Sequence, residues 1–166
     1  MDSELDLTKE EMKEKRGRML TVLCVLSWIF IGITFFANIM GVMKGQASVE
    51  ELNEQKILLV ETYDNFGLNQ GNIEDTLLAL DKTNEHFYLN YSTSIIFGLI
   101  GFFAVFQMYK LQKMGFWMYI AYSIIPMGVT FYILEGVEGR IGGLAISFVI
   151  SAIFIGLYAS QLKRLE

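Results

Sequence analysis

The amino-acid sequence predicts an all-α integral membrane protein with four transmembrane helices and an extracytoplasmic helical hairpin between helices 1 and 2. Three observations lead to this fold class. Hydrophobic residues make up 53% of the 166 residues, whereas soluble domains contain about 45–50%. These residues are gathered into four long runs without charge, and the chain contains one proline. The polar segment between the first two runs has the residue spacing of helices.

Four uncharged runs have the length of a membrane-spanning helix. A helix needs about 20 mostly apolar residues to cross the hydrocarbon core of a bilayer, and each run reaches that length. Four such runs in a soluble chain of this size would leave no polar surface to cover them. We predict transmembrane helices at residues 19–43, 87–109, 114–134 and 141–162, with an amino-terminal segment at 1–18, the hairpin at 44–86 and a tail at 163–166.

The basic residues indicate which side of the membrane each end occupies. Most of the 13 lysines and arginines lie in the amino-terminal segment, in the connection between the second and third runs, and in the tail. Because Lys and Arg near span ends are retained in the cytoplasm, we expect both termini to be cytoplasmic. The acidic hairpin then lies on the other side of a bacterial inner (plasma) membrane. The basic residues concerned are Lys9, Lys13, Lys15, Arg16, Arg18, Lys110, Lys113, Lys163 and Arg164.

Residues 44–86 have the pattern of two helices joined by a turn. Ser48 and Glu51 have the spacing of a capping box, so a helix should begin there. Gly67 and Gly71 frame a turn, because glycine tolerates positive φ. Apolar residues three or four positions apart give each helix one apolar face. We predict a hairpin interface formed by Leu52, Leu59, Phe66, Ile73, Leu77 and Leu80.

The return helix of this hairpin is predicted to continue into the second span without a break. Positions spaced alternately four and three residues apart keep one face from Ile73 to Met108, and no proline interrupts them. Such a helix is about 54 Å long, roughly 20 Å more than the hydrocarbon core. Asn84 lies on this face near the membrane surface. Its amide either fixes the register between helices or is simply solvated.

Two of the runs carry small residues along one face. Small residues let helix backbones approach closely in a membrane, so such faces are expected to contact protein. The fourth run also has a bulky face that suits lipid or a separate partner. In the third run, Pro126 predicts a kink. We predict a helix-packing interface at Ser94, Gly98, Gly101, Gly142, Ala145, Ala152, Gly156 and Ala159.

The four runs offer little reactive chemistry. None contains an Asp, Glu, Lys, Arg or His in its interior, and such residues usually mark proton relays, ion pathways and redox ligands in membranes. The lone Cys24 and the lone His86 make neither a disulfide nor a set of metal ligands. We predict no catalytic residue, no cofactor and no metal. The polar residues within the runs include Ser27, Thr34, Asn38, Ser123, Thr130, Ser147 and Ser151.

These patterns favour a non-enzymatic integral membrane protein that serves as a structural or accessory subunit of a larger membrane protein complex. Its expected partners are membrane lipid and either other membrane protein subunits or further copies of the chain, and no nucleic acid. The alternative is an oligomeric channel or transporter for a small solute, which Pro126, Asn38, Thr130 and Ser151 favour. A third hypothesis, a membrane enzyme or sensor, lacks a visible catalytic pair.

Overall fold

The computed structural model describes residues 9–67 and 71–165, and the side chains of residues 16–67 and 73–165. The first eight residues of the predicted cytoplasmic segment and residues 68–70 of the predicted turn lie outside these ranges. Within them the chain forms six α-helices and a 3-10 turn, and no strand. The helices are α1 Lys9–Lys44, α2 Val49–Phe66, α3 Gly71–Glu85, α4 Phe87–Tyr109, α5 Lys113–Ile133 and α6 Arg140–Ala159, and the turn is Leu162–Arg164.

Four helical segments are long and apolar enough to cross a membrane. Their mean hydropathies are 2.4, 1.7, 1.4 and 2.2 in chain order. This confirms the predicted all-α class and the four candidate membrane-spanning helices. Each candidate span buries less than a third of its apolar window within the chain, so most of its apolar surface faces outward. The segments are Arg16–Lys44, Phe87–Tyr109, Lys113–Ile133 and Arg140–Arg164.

The hydrophobic core lies in one half of the four-helix bundle. α4 and α5 pack together along their length, α1 lies against α4, and α6 lies against α5. The core surrounds the amino-terminal half of α1, the carboxyl end of α4 and the first turns of α5. Its buried residues are Leu20, Leu23, Cys24, Ile31, Ala104, Val105, Met108, Leu111, Phe116, Tyr119, Tyr158 and Leu165.

An arginine joins the amino end of α1 to the carboxyl end of α4. The Arg16 side chain is only 8% exposed; it donates to the Tyr109 carbonyl at 3.2 Å and lies 3.5 Å from the centroid of the Tyr109 ring. Gly17 has φ +70°, and a β-carbon there would lie 2.7 Å from Nη1 of Arg164. The amino end of α1, the α4–α5 connection and the end of the described chain therefore lie at one end of the bundle.

The opposite end of the bundle carries α2 and α3. α1 ends at Lys44, and Gly45 turns the chain with φ +83°. The predicted capping box is confirmed: Glu51 N–H donates to Ser48 Oγ at 3.2 Å, and Ser48 N–H donates to Glu51 Oε2 at 2.8 Å. Gly67 ends α2 in the left-handed conformation. Local capping thus defines both ends of α2.

α2 and α3 pack against each other as a pair with two polar contacts between them. Lys56 forms an ion pair with Asp81 at 2.6 Å, and the hydroxyls of Tyr63 and Thr76 are 3.0 Å apart. These contacts join the middle of α2 to the second half of α3, and the end of α2 to the start of α3. The two helices therefore run antiparallel, and we call them the α2–α3 pair.

Two hydrogen-bonded side chains attach α3 to the rest of the chain. Asn84 accepts from the Ala47 N–H at 3.0 Å and donates to the Ala47 carbonyl at 3.1 Å. The Asp75 carboxylate accepts from the N–H groups of Glu138 and Gly139 at 3.2 and 2.9 Å. Of the two readings of Asn84, these contacts favour the one in which its amide fixes the register.

The predicted unbroken helix is wrong at one residue. α3 ends at Glu85 and α4 begins at Phe87, because His86 has φ −99° and ψ 30°. The hydrogen bonds His86 N–H to Lys82 O at 3.0 Å and Asn90 N–H to His86 O at 2.9 Å still cross the interruption. Periodicity reports which side of a helix is apolar and carries no signal for a changed backbone angle at one residue.

Gly115 sets the distance between α4 and α5. A β-carbon at this position would lie 2.5 Å from the Ala104 carbonyl oxygen and 2.6 Å from the Met108 nitrogen. Both atoms belong to the backbone of α4, so they have little freedom to move away. The close approach follows directly after the short connection at Lys110–Gln112, in which Leu111 has φ +67°. The helix pair therefore requires glycine at residue 115.

We expect Gly115→Ala to destabilise the protein by about 1–3 kcal/mol, because the added methyl group forces two helix backbones apart. Gly128→Ala in the same helix is the matched control, since a β-carbon there would meet nothing within 4 Å. The single cysteine, Cys24, is fully buried, so a maleimide dye should react with it as the bundle unfolds. The midpoint of thermal labelling measures stability, and equal midpoints for the two variants would contradict this packing.

Candidate functional site

A cavity of about 310 Å³ lies between the four candidate spans, on the α2–α3 side of the hydrophobic core. α1 lines it from Ser27 to Asn38, which are eleven residues or about 16 Å apart along a helix. The other walls come from α4, α5 and α6. The polar residues that line it are Ser27, Thr34, Asn38, Ser94, Tyr119, Tyr122, Ser123, Ser147 and Ser151.

The cavity brings together most of the polar residues that the sequence places within the spans. Of the seven polar residues named for the runs, Thr130 lies elsewhere, since it lines a separate surface cavity beside Asp75 and Arg140. Pro126 also lines the central cavity. The sequence did not predict that Tyr119 and Tyr122 line the cavity. Aromatic residues at a membrane interface and aromatic residues that line a cavity look alike in a sequence. A signal was nevertheless present in the serines of three different runs, since serines on several spans are expected to share one polar side of the bundle.

Several of these polar groups are satisfied within the protein. Tyr158 OH donates to Ser27 Oγ at 2.9 Å, which joins α6 to α1 at the inner end of the cavity. Thr34 donates to the carbonyls of Phe30 and Ile31 at 3.0 Å. The Asn38 amide nitrogen donates to the Thr34 carbonyl at 2.8 Å. These bonds return to the helix itself or close the floor of the cavity.

Four polar groups that line the cavity have no hydrogen-bond partner among the residues that the structure describes. Ser123 is 9% exposed, and its hydroxyl makes no bond to the preceding turn of its helix. The other three are the hydroxyls of Tyr122 and Ser151 and the side-chain oxygen of Asn38. In addition, Pro126 lacks the N–H that would bond the Tyr122 carbonyl. The cavity wall therefore presents unpaired donors and acceptors.

The cavity opens sideways between α1 and α6. Two of its lining residues, Phe30 on α1 and Ile150 on α6, are 59% and 48% exposed. Ser147 on α6 is exposed beside them. α1 and α6 make few contacts with each other, and one of them is the hydrogen bond from Tyr158 to Ser27 at the core end of the cavity. The mouth therefore faces the side of the bundle, on the apolar surface of the spans.

None of the described residues that line the cavity is an Asp, Glu, Lys, Arg or His. A charged ligand would have no counter-charge there, and burying an unpaired charge is costly. In the part of the chain that the structure describes, no three His, Cys, Asp or Glu residues come together as a metal site. Cys24 is buried, with Sγ 4.0 Å from the Val105 carbonyl oxygen. The arrangement suits an uncharged, hydrogen-bonding ligand.

The predicted helix-packing residues fall into two groups. On α4, Gly98 and Gly101 are buried: β-carbons there would lie 2.9 Å from the Phe35 ring and 2.8 Å from the Tyr122 ring. Ser94 is half-buried beside the cavity. On α6 the small residues are exposed instead, and β-carbons at its two outward-facing glycines would meet nothing within 4 Å. The exposed residues are Gly142, Ala145, Ala152, Gly156 and Ala159.

The predicted hairpin residues lie mostly within the α2–α3 pair. Phe66 differs, since it is 75% exposed near the end of α2. Leu52 and Leu80 line a common cavity of about 230 Å³ between α2, α3 and the end of α1. No residue of α2 is buried, so this pair is held by half-buried contacts. The half-buried residues are Leu52, Leu59, Ile73, Leu77 and Leu80.

Comparison with known proteins gives no match: no protein-family model, no curated protein and no solved structure matches this chain.

We expect Tyr158→Phe to lower the stability of the bundle by about 0.5–1.5 kcal/mol, since it removes the hydrogen bond to Ser27 and leaves that hydroxyl without its donor. Tyr88→Phe is the control, because Tyr88 is 74% exposed on α4. Thermal unfolding followed by circular dichroism measures the effect. A midpoint for Tyr158→Phe equal to that of the control would contradict a stabilising role for this bond.

Proposed function

We propose that this chain is a non-enzymatic accessory subunit that assembles with other membrane proteins through α6. The observation that carries the proposal is the exposed small-residue face of α6. α6 is the least buried of the four candidate spans, with 6% of its apolar window buried within the chain. Its small residues point outward, as do large residues such as Ile146 and Phe148, while Phe154 and Tyr158 pack inward.

Helix association in a membrane depends on close packing and not on the hydrophobic effect. Lipid tails are as apolar as leucine, so a large outward side chain gains little from leaving lipid. Small side chains gain more, because they let a second helix approach until the backbones are in contact. An open stripe at Gly142, Ala145, Ala152 and Gly156 is thus suited to another helix. Lipid fills such a stripe less well.

The α2–α3 pair supports the same proposal from the opposite end of the bundle. α2 exposes Val49, Ile57, Leu58 and Phe66, with exposed fractions from 58% to 78%. A partner that covered one of these side chains would remove apolar surface from water, which is favourable. In the proposed arrangement, both termini are cytoplasmic in a bacterial inner membrane. The α2–α3 pair then projects on the other side, where a partner contacts it together with α6.

We expect Ala152→Leu with Gly156→Leu to dissociate this assembly, because two bulky side chains prevent close approach of a partner helix. Ala37→Leu is the matched control, since Ala37 is an exposed small residue on α1. The measurement is native mass spectrometry of the carboxyl-terminally tagged chain after extraction in mild detergent. Copies of the chain are told from other subunits by mass.

The wild type and Ala37→Leu should both carry a stoichiometric partner, and the double variant should be monomeric. Monomer alone from the wild type would overturn the proposal. An assembly that persists in the double variant would also overturn the proposal.

A second candidate function is an oligomeric channel or transporter for a small solute. The polar cavity favours it, because passage of a solute requires hydrogen-bonding groups inside the spans. The cavity opens to the side, so a continuous pathway needs a second copy of the chain. Purified chain in liposomes should then increase the uptake of uncharged solutes such as glycerol. Uptake equal to that of empty liposomes would contradict this candidate.

A further inference from the structure

We infer that the central cavity binds the uncharged hydroxyl headgroup of a membrane amphiphile, a monoacylglycerol-type molecule, which enters sideways between α1 and α6. This inference goes beyond assembly through α6 and requires no passage of solute. The two surfaces of α6 are separate: Ser147 lines the cavity, and Gly156 is nine residues away, which turns a helix by about 180°.

The unpaired groups in the cavity indicate a ligand. Within an apolar medium, a polar group without a partner costs free energy comparable to a lost hydrogen bond or more. Ser123 is nine-tenths buried, and its hydroxyl lines the cavity without a partner among the described residues. The hydroxyls of Tyr122 and Ser151 and the Asn38 oxygen surround the same space. A molecule with hydroxyl groups satisfies such a set, since each hydroxyl both donates and accepts.

The charge and size of the cavity narrow the chemical class. No described lining residue carries a charge, so phosphate and ammonium headgroups would lack a partner. The volume of about 310 Å³ is at the small end of ligand pockets, about 300–1,000 Å³. It holds a headgroup of a few hydroxyls and the start of a chain. A complete lipid does not fit.

The position of the mouth indicates that the ligand comes from the membrane. Phe30 and Ile150 flank the opening and are exposed on the apolar surface of the spans. An acyl chain can lie against these side chains while the headgroup occupies the cavity. A water-soluble polyol would instead have to cross the apolar surface to reach the mouth. The hydroxyl-bearing ligand therefore comes from the membrane and not from water.

The test uses the full chain in phosphatidylcholine nanodiscs with a monoacylglycerol that carries a photoreactive diazirine in its acyl chain. After irradiation, mass spectrometry of the digested protein should find the label on the peptides that contain Phe30 and Ile150. Excess unlabelled monoacylglycerol should abolish this labelling. Excess glycerol should leave it unchanged.

Ser123→Ala with Ser151→Ala should reduce the labelling at least about fivefold, because two hydrogen bonds to the headgroup are lost. Ser92→Ala with Ser160→Ala is the matched control, since both serines are exposed and neither lines the cavity. The control should be labelled like the wild type. Circular dichroism establishes that each variant is folded.

Three results would overturn the inference. Labelling that unlabelled monoacylglycerol does not reduce would mean nonspecific contact with the acyl chain. Equal labelling of the Ser123 and Ser151 variant and the wild type would mean that the cavity groups do not hold the headgroup. Competition by glycerol alone would assign the cavity to a soluble polyol. Because these readouts use purified single chains, loss of assembly through α6 would leave them unchanged.

Discussion

The backbone contact between α4 and α5 at Gly115 is the constraint on which the rest of the bundle depends. It brings the two helices so close that a β-carbon would lie 2.5 Å from a carbonyl oxygen of α4. α1 and α6 then pack on opposite flanks of this pair. They meet again where Tyr158 bonds Ser27, and they leave a gap farther along. The close approach of α4 and α5 at Gly115 thus determines where both the core and the cavity form.

The two halves of the bundle differ in how their polar groups are satisfied. In the core half, side chains fill the space between helices; Arg16 Nη1 donates to a carbonyl and the guanidinium lies over an aromatic ring, although Arg16 Nε has no partner among the described residues. In the other half, small and hydroxyl-bearing residues leave room and keep unpaired groups. In a soluble protein, water would form hydrogen bonds with such groups. In a membrane, such groups find a hydrogen-bond partner in a bound molecule or in a neighbouring protein.

The sequence predicted which segments form helices better than it predicted how those helices pack together. Hydropathy and length identified the four candidate spans, and the Ser48 and Glu51 spacing located the start of α2, because both signals are local. The break at His86 and the bonds of Asp75 to the start of α6 depend on tertiary packing, which periodicity does not report. The polar residues were visible one by one. Their meeting in a single cavity depends on the rotation of four helices, which a single sequence leaves open.

The contacts around Gly17 and Tyr158 also bear on the order in which the protein is made. Tyr158 bonds a residue 131 positions earlier in the chain, and Leu165 is buried against the same core. Until α6 has been synthesised, Ser27 lacks the Tyr158 hydroxyl as a donor. The core around α1 is therefore completed only by the last helix of the bundle.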